Sequence, residues 1–178
     1  MFSEGFRIST RVPFNDLFPV YKTCFEDAPW YECWSRKDVL KEYKSYDKIF
    51  GFYHQDKCVS FLGIYEYDQA SNKFPISLPA ESKLLYFSDS ATLLDYRKRG
   101  LSTALNLLAI AWAMDNDFDY AFARTNETGS LSINMLRSLG FKQIDAYQEI
   151  TKPRINGRVE TDSRIFLALD LHNNPRSK

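Results

Sequence analysis

This sequence predicts a single-domain mixed α/β fold, one sheet covered by helices. Three observations carry that reading. The chain has 178 residues, the length of one compact domain and short for two with separate cores. Its apolar period changes repeatedly between two and about 3.6, the signatures of strand and helix. The segments follow in the order strand, two helices, three strands, helix, strand, helix, two strands, which assembles as a mixed sheet with helical layers. Residues 1–171 are expected to form the domain and 172–178 a polar tail.

Taken in order, Phe6 to Arg11 alternates Phe6 and Ile8 with Arg7 and Ser9, the pattern of a short half-buried strand. Asn15 stands where it would cap a helix carrying Leu17, Val20, Tyr21, Cys24 and Phe25 on one side, with Pro19 near its first turn. Residues 26–34 have no clean periodicity, and Ser35 to Asp38 offers a capping-box start to a second helix through Tyr46. Ile49 to Tyr53 and Cys58 to Tyr67 read as strands joined by a tight hairpin at His54 to Lys57. Residues 68–83, with two prolines, read as a surface connection. Leu84 to Leu93 is a longer extended run. At Gly100 the period changes, and Leu101, Leu105, Leu108 and Trp112 fall on one helical face. Phe118 to Thr125 then reads as a strand, Gly129 to Leu139 as a helix, and Phe141 to Ile150 and Arg164 to Asp170 as strands.

Composition narrows the function classes. Hydrophobic residues at 44% and charged residues at 26% suit a globular domain rather than a disordered chain. Lys plus Arg and Asp plus Glu both number 23, so no positive excess drives counterion release, and a general nucleic-acid partner is not expected. The longest apolar run, Leu101 to Met114, is broken at Asn106 and is shorter than the ~20 residues that span a bilayer. Met1 to Thr10 carries charges where a secretory leader needs an apolar core. A cytoplasmic protein without a membrane partner, monomeric or homodimeric, is the expectation.

Cys24, Cys33 and Cys58 form no Cys-x-x-Cys pair and are expected to be reduced thiols, with Cys58 in the core because no histidine is placed to activate it. His54 and His172 have no metal-type partner at a recognisable spacing, and Asp115, Asp117 and Asp119 read as a solvated helix end, so no metal is expected. Aromatic residues, at 16%, suit either a bulky core or an aromatic-lined pocket.

Chemistry concentrates in Arg97-Lys98-Arg99-Gly100-Leu101-Ser102, where a strand ends and a helix begins. The first turn of that helix leaves backbone N–H groups unpaired, and the positive end of its dipole favours an anion. Gly100 admits a ligand close to the backbone, Ser102 is too small to block it, and three basic side chains would meet further phosphates. Without context such residues more often form a solvated basic turn.

In this element order they resemble the phosphate loop of the GNAT superfamily of acyl-CoA-dependent N-acetyltransferases, Arg/Gln-x-x-Gly-x-Gly/Ala before a helix, with Arg97, Gly100 and Ser102 on its fixed positions. The resemblance runs from about Phe6 to Asp170. Phe25 to Glu32 resembles the substrate loop between the first two helices, and Leu139-Gly140-Phe141 the family's helix-to-strand junction. Departures are Ser102 for the last Gly or Ala, Leu94 for a usual proline, Thr92 for a usual valine, Leu136 for the tyrosine that serves many relatives as general acid, and Gly129 for an asparagine.

The resemblance implies a mostly antiparallel sheet, acetyl-CoA as cosubstrate without a metal, and transfer of its acetyl group to a primary amine of a small molecule or peptide by direct attack. Ser90, Ala91 and Thr92 would supply the N–H that meets the thioester oxygen. Asn126 would replace the family asparagine along the pantetheine arm, and Ser132 or Tyr147 would assist the leaving thiolate in place of Leu136. Asp89, three residues before Thr92, matches an acidic residue of some diamine-acetylating relatives and is the candidate base; a plain strand-end carboxylate is the alternative. Glu26, Asp27, Trp30, Tyr31 and Glu32 would hold a cationic amine by charge and ring faces, or else form a polar loop whose aromatics plug the core. Leu136 keeps open a catalytically silent acyl-CoA-binding sensor or scaffold.

Overall fold

The computed structural model describes residues 5–27, 30–127 and 131–173. The elements are β1 (Phe6–Ser9), α1 (Phe14–Glu26), α2 (Arg36–Ser45), β2 (Lys48–His54), β3 (Lys57–Tyr67), β4 (Leu84–Thr92), α3 (Leu101–Asp115), β5 (Tyr120–Asn126), α4 (Leu131–Ser138), β6 (Lys142–Pro153) and β7 (Val159–Asp170). Their order is the expected one. The polar tail lies outside the described residues beyond Asn173, as does the Gly129 start of the fourth helix.

Local signals explain most boundaries. Ser35 and Asp38 form the capping box that starts α2. Gln55 and Asp56 both have positive φ, 49° and 61°, the backbone of a two-residue turn whose twist matches the β2–β3 hairpin. Helix α1 departs from its expected start. Its cap is Pro13, without a side-chain bond, while Asn15 lies inside the first turn and accepts from Arg36 Nη2 at 2.7 Å, tying α1 to α2. Pro19 therefore sits two residues deeper in the helix than expected.

The seven strands form one sheet in the order β1-β2-β3-β4-β5-β7-β6. Only β4 and β5 are parallel neighbours, and α3 is the crossover that a parallel pair requires. Helices α3 and α4 cover one face, burying Leu101, Leu105, Ala109, Ala113 and Leu136 against Phe52, Leu85, Phe87 and Leu167. On α3 the buried stripe runs through the alanines, which let the helix approach the sheet, and Leu108 and Trp112 are pushed to its half-buried flank.

The opposite face is shared. Helices α1 and α2 cover β2, β3 and part of β4 with Leu17, Val20, Tyr21 and Val39. The rest would expose Tyr86, Phe122 and Phe166 to water, and the 68–83 segment folds over it. Phe74 is only 5% exposed and stacks on Tyr67 with centroids 5.3 Å apart. The expected surface connection is thus a lid on the core.

Strands β6 and β7 also run beyond their expected ends, as a hairpin arm through residues 151–163. Its sequence is polar and charged, so apolar periodicity could not mark it. No helix among the described residues is long and apolar enough to cross a membrane.

Candidate active site

The β4–β5 ladder pairs only Leu84↔Tyr120 through Phe87↔Ala123, although β4 continues to Thr92 and β5 to Asn126. The strands therefore part, and beyond Phe87 the backbone of β4 makes no ladder pairing with β5. Leu93 N–H donates to Val59 C=O at 3.0 Å, so by the two-residue alternation of a strand Ala91 also turns its amide to β3, where it pairs with Phe61. Ser90 and Thr92 are left facing the gap, and the Ser60 and Thr92 hydroxyls bond each other at 2.7 Å. Of the three expected donors, Ala91 is the one the pairing withdraws.

A bulge sits beside the gap. Leu62 pairs with Ser90 and Ile64 with Phe87, so Gly63 faces two residues, Ser88 and Asp89. The bulge aims Asp89 into the cleft, where Tyr46 OH donates to its Oδ2 at 2.6 Å and Ser88 Oγ at 3.3 Å. A Cβ on residue 63 would meet the Tyr46 ring at 2.8 Å, so glycine is what admits that ring. Burial pushes the Asp89 carboxyl above the usual carboxylate range; the Tyr46 and Ser88 hydrogen bonds and Arg124 pull it back, and Glu42 pushes with burial.

On the far side of the gap, a 3-10 turn at Leu94–Tyr96 leads into α3. Lys98 has φ 60° and Gly100 has φ 78°, the left-handed region that glycine enters without strain. A Cβ on Gly100 would meet nothing within 4 Å, so the backbone is open to a ligand there. Arg97 Nε donates to Thr92 C=O at 3.0 Å and Arg99 Nη2 to Asp95 C=O at 3.0 Å, so both arginines brace the turn. Lys98 is exposed, Leu101 is buried in the core, and Ser102 C=O accepts from Asn106 Nδ2. Asn126 ends β5 with its Oδ1 buried and without a hydrogen-bond partner among the described residues.

A cavity of about 250 Å³ opens on the α1–α2 face over the gap. Asp89 and Ser90 line it with Tyr21, Phe25, Trp30, Trp34, Glu42 and Arg124. Ser132 of α4, from the other side of the sheet, also reaches it. Tyr147 does not. It lies on β6, two strands from β5, and its hydroxyl donates to Ser163 Oγ at 2.7 Å. Leu136 is core, so α4 offers no hydroxyl there.

The expected amine-binding loop divides. Trp30 and Glu32 line the cavity; Glu26, Asp27 and Tyr31 do not. Glu26 pairs with Lys22, and Tyr31 C=O accepts from Ile155 N–H of the hairpin arm. Glu32 has no charge to spare for a ligand. Its Oε1 pairs with Lys152 and with Arg154 Nη1 at 3.4 Å, while its Oε2 accepts from Trp34 Nε1 at 2.8 Å. These contacts lock the loop to the β6–β7 arm.

Periodicity gave no sign of Tyr46, Glu42, Arg124 or Lys73, because each acts only from its place beside the cleft. The bulge signal, Gly63 within an apolar strand, was present in the sequence. Cys24 and Cys58 are buried, which raises both thiols, Cys58 to about 12, so neither is a ready nucleophile; Cys33 is exposed.

Residues 14–141 match the family described as the Acetyltransferase (GNAT) family. Among solved structures, the ribosomal-protein-S18-alanine N-acetyltransferase of Escherichia coli is 18% identical, with TM-score 0.68, over 93% of this chain and 94% of that one. NAA60 of Arabidopsis thaliana, solved with a bisubstrate analogue, gives 12% identity and TM-score 0.70 over 93% and 97%. A GNAT family acetyltransferase from Elizabethkingia anophelis with acetyl-CoA bound gives 11% and 0.63 over 94% and 99%. At these identities the likeness is one of fold. No curated protein matches the sequence.

Proposed function

The chain belongs to the acetyltransferase (GNAT) family, and from that premise we propose that it moves an acetyl group from acetyl-CoA to a primary amine of a small molecule or peptide by direct attack. One observation carries the reading: the sheet parts between Phe87 and Thr92, beside a cleft that holds a carboxylate.

The residues at the gap suit acetyl-CoA on their own chemistry. Amides in the first turn of α3 lack intrahelical partners, and Gly100 leaves space over them for phosphate. The orphaned Asn126 Oδ1 lies buried near the gap and would accept from an amide of the pantetheine arm. When bound, acetyl-CoA supplies an acetyl thioester. Ser90 and Thr92 would then turn backbone N–H groups toward the arm and toward charge developing on the thioester oxygen, donors worth about 3 to 4 kcal/mol in such a barrier.

A lysine-like amine of pKa about 10.4 is almost wholly protonated at neutral pH. Asp89, raised by burial, is the group in the cleft suited to remove that proton. Ser132 is the hydroxyl of α4 that lines the cleft and would donate to the departing thiolate. A silent acyl-CoA-binding module is the second reading, favoured by the buried Leu136.

Thiol release from acetyl-CoA over a panel of primary amines tests the two. Release that saturates with one acceptor class is the expected result. Tight CoA binding with no release over any amine would establish the silent module instead.

A further inference from the structure

Opposite walls of the cleft carry charges of opposite sign that form no direct ion pair among the described residues; Arg124 acts on Asp89 only through space, across the cleft. On the α2 and β4 side, Glu42 makes no side-chain hydrogen bond or ion pair among the described residues, and Asp89 is held only by the hydroxyls of Tyr46 and Ser88. On the other side, Arg124 Nη1 donates to the neutral Gln148 Oε1 at 2.8 Å, and its guanidinium lies 4.9 Å over the Phe74 ring. Lys73, exposed at the rim, donates to Tyr65 OH at 2.9 Å. Neither cation forms an ion pair among the described residues. The other charges of the cleft, Glu32, Lys152 and Arg164, belong to a network with Arg154, Glu160 and Asp162 in which three carboxylates meet three cations.

A half-buried guanidinium with no carboxylate in hydrogen-bond contact among the described residues gains from a ligand that supplies one. Arginine's planar fork suits a carboxylate, which accepts two parallel N–H bonds. We propose that the acceptor is an amino carboxylate, its amine directed to Asp89 and Glu42 and its carboxylate to Arg124, with Lys73 adding charge from the rim. This rests on the acetyl-transfer reading of the same cleft and names its substrate class. The carboxylate belongs either to a free amino acid or to an acidic residue at a peptide amino terminus, and the cavity size favours the free molecule.

The test measures thiol release from acetyl-CoA with ω-amino acids from glycine to 6-aminohexanoate, against alkylamines and diamines of equal length. Peptide amides beginning Glu-Ala-Ala and Gln-Ala-Ala form a second arm. A charge-assisted pair of this kind predicts about 10- to 100-fold higher kcat/KM for carboxylate-bearing acceptors, expressed mainly in KM. Preference for free amino acids, or for the Glu over the Gln peptide alone, supports the proposal and identifies the carboxylate's source. In Arg124→Gln the preference should collapse. The wild-type comparison stands by itself should that variant fold poorly. Equal or better turnover of alkylamines or diamines overturns the amino-carboxylate proposal while leaving acetyl transfer intact. Absence of release from every acceptor, with CoA still bound, overturns both.

Discussion

Asp89 carries opposite demands at the residue scale. Burial raises its pKa, so the ionised form that would accept a proton is the form the fold tolerates less well. A carboxylate whose folded pKa lies above its unfolded value destabilises the protein once pH exceeds the folded pKa, and this penalty fades as pH falls through it. Asp89→Asn, whose amide oxygen still accepts from Tyr46, should therefore raise the melting temperature at pH 7–8, by less as the pH falls. It should also lower kcat by about 10²- to 10⁴-fold, the usual contribution of a general base. Tyr46→Phe acts through Asp89 rather than on substrate. It removes the hydrogen bond that holds the carboxyl down, so the acid limb of the pH–rate profile should move to higher pH. The groups facing Asp89 that set this limb are Tyr46, Ser88, Glu42 and Arg124. An acid limb unmoved in Tyr46→Phe would remove Asp89 as base.

Among the elements, the loop between α1 and α2 and the β6–β7 arm depend on each other. Glu32 joins them through Lys152 and Arg154, and the Arg154 side chain is 1% exposed. Removing one member of a buried ionic cluster leaves the rest uncompensated, at about 3 to 5 kcal/mol. Asp162 and Glu160 still face Arg154, so Glu32→Gln should cost about 3 kcal/mol in urea unfolding, the lower end of that range. Its effect on acceptor KM should be small beside that of Arg124→Gln. A large KM effect with unchanged stability would return Glu32 to the role first expected of it. The arm itself escaped sequence reading, because residues 151–163 are held by backbone pairing and charge and show no apolar stripe.

For the whole molecule, ligand linkage gives the broadest test: CoA at 100 times its dissociation constant should stabilise the fold by about 2.7 kcal/mol. Gly100→Asn should abolish most of that gain, because a side chain would fill the open space above the α3 amides, and asparagine tolerates the positive φ better than valine does. A CoA-induced melting shift equal to wild type in this variant would contradict the proposed loop. The element order, the α2 capping box, the β2–β3 turn and the Arg97–Ser102 turn were legible in the sequence, because each rests on neighbours within a few residues or on backbone geometry. The chemistry of the cleft was not. Asp89 takes its character from Tyr46, 43 residues away, and Glu32 is neutralised by Lys152, 120 residues away. An acidic loop therefore read as a cation site until folding brought cations to it from the opposite end of the chain. The sequence by itself determined which elements form, their order, and the glycine turn that opens α3. Only the tertiary structure decided which charges remain unpaired, since pairing depends on distances through space that no local pattern encodes.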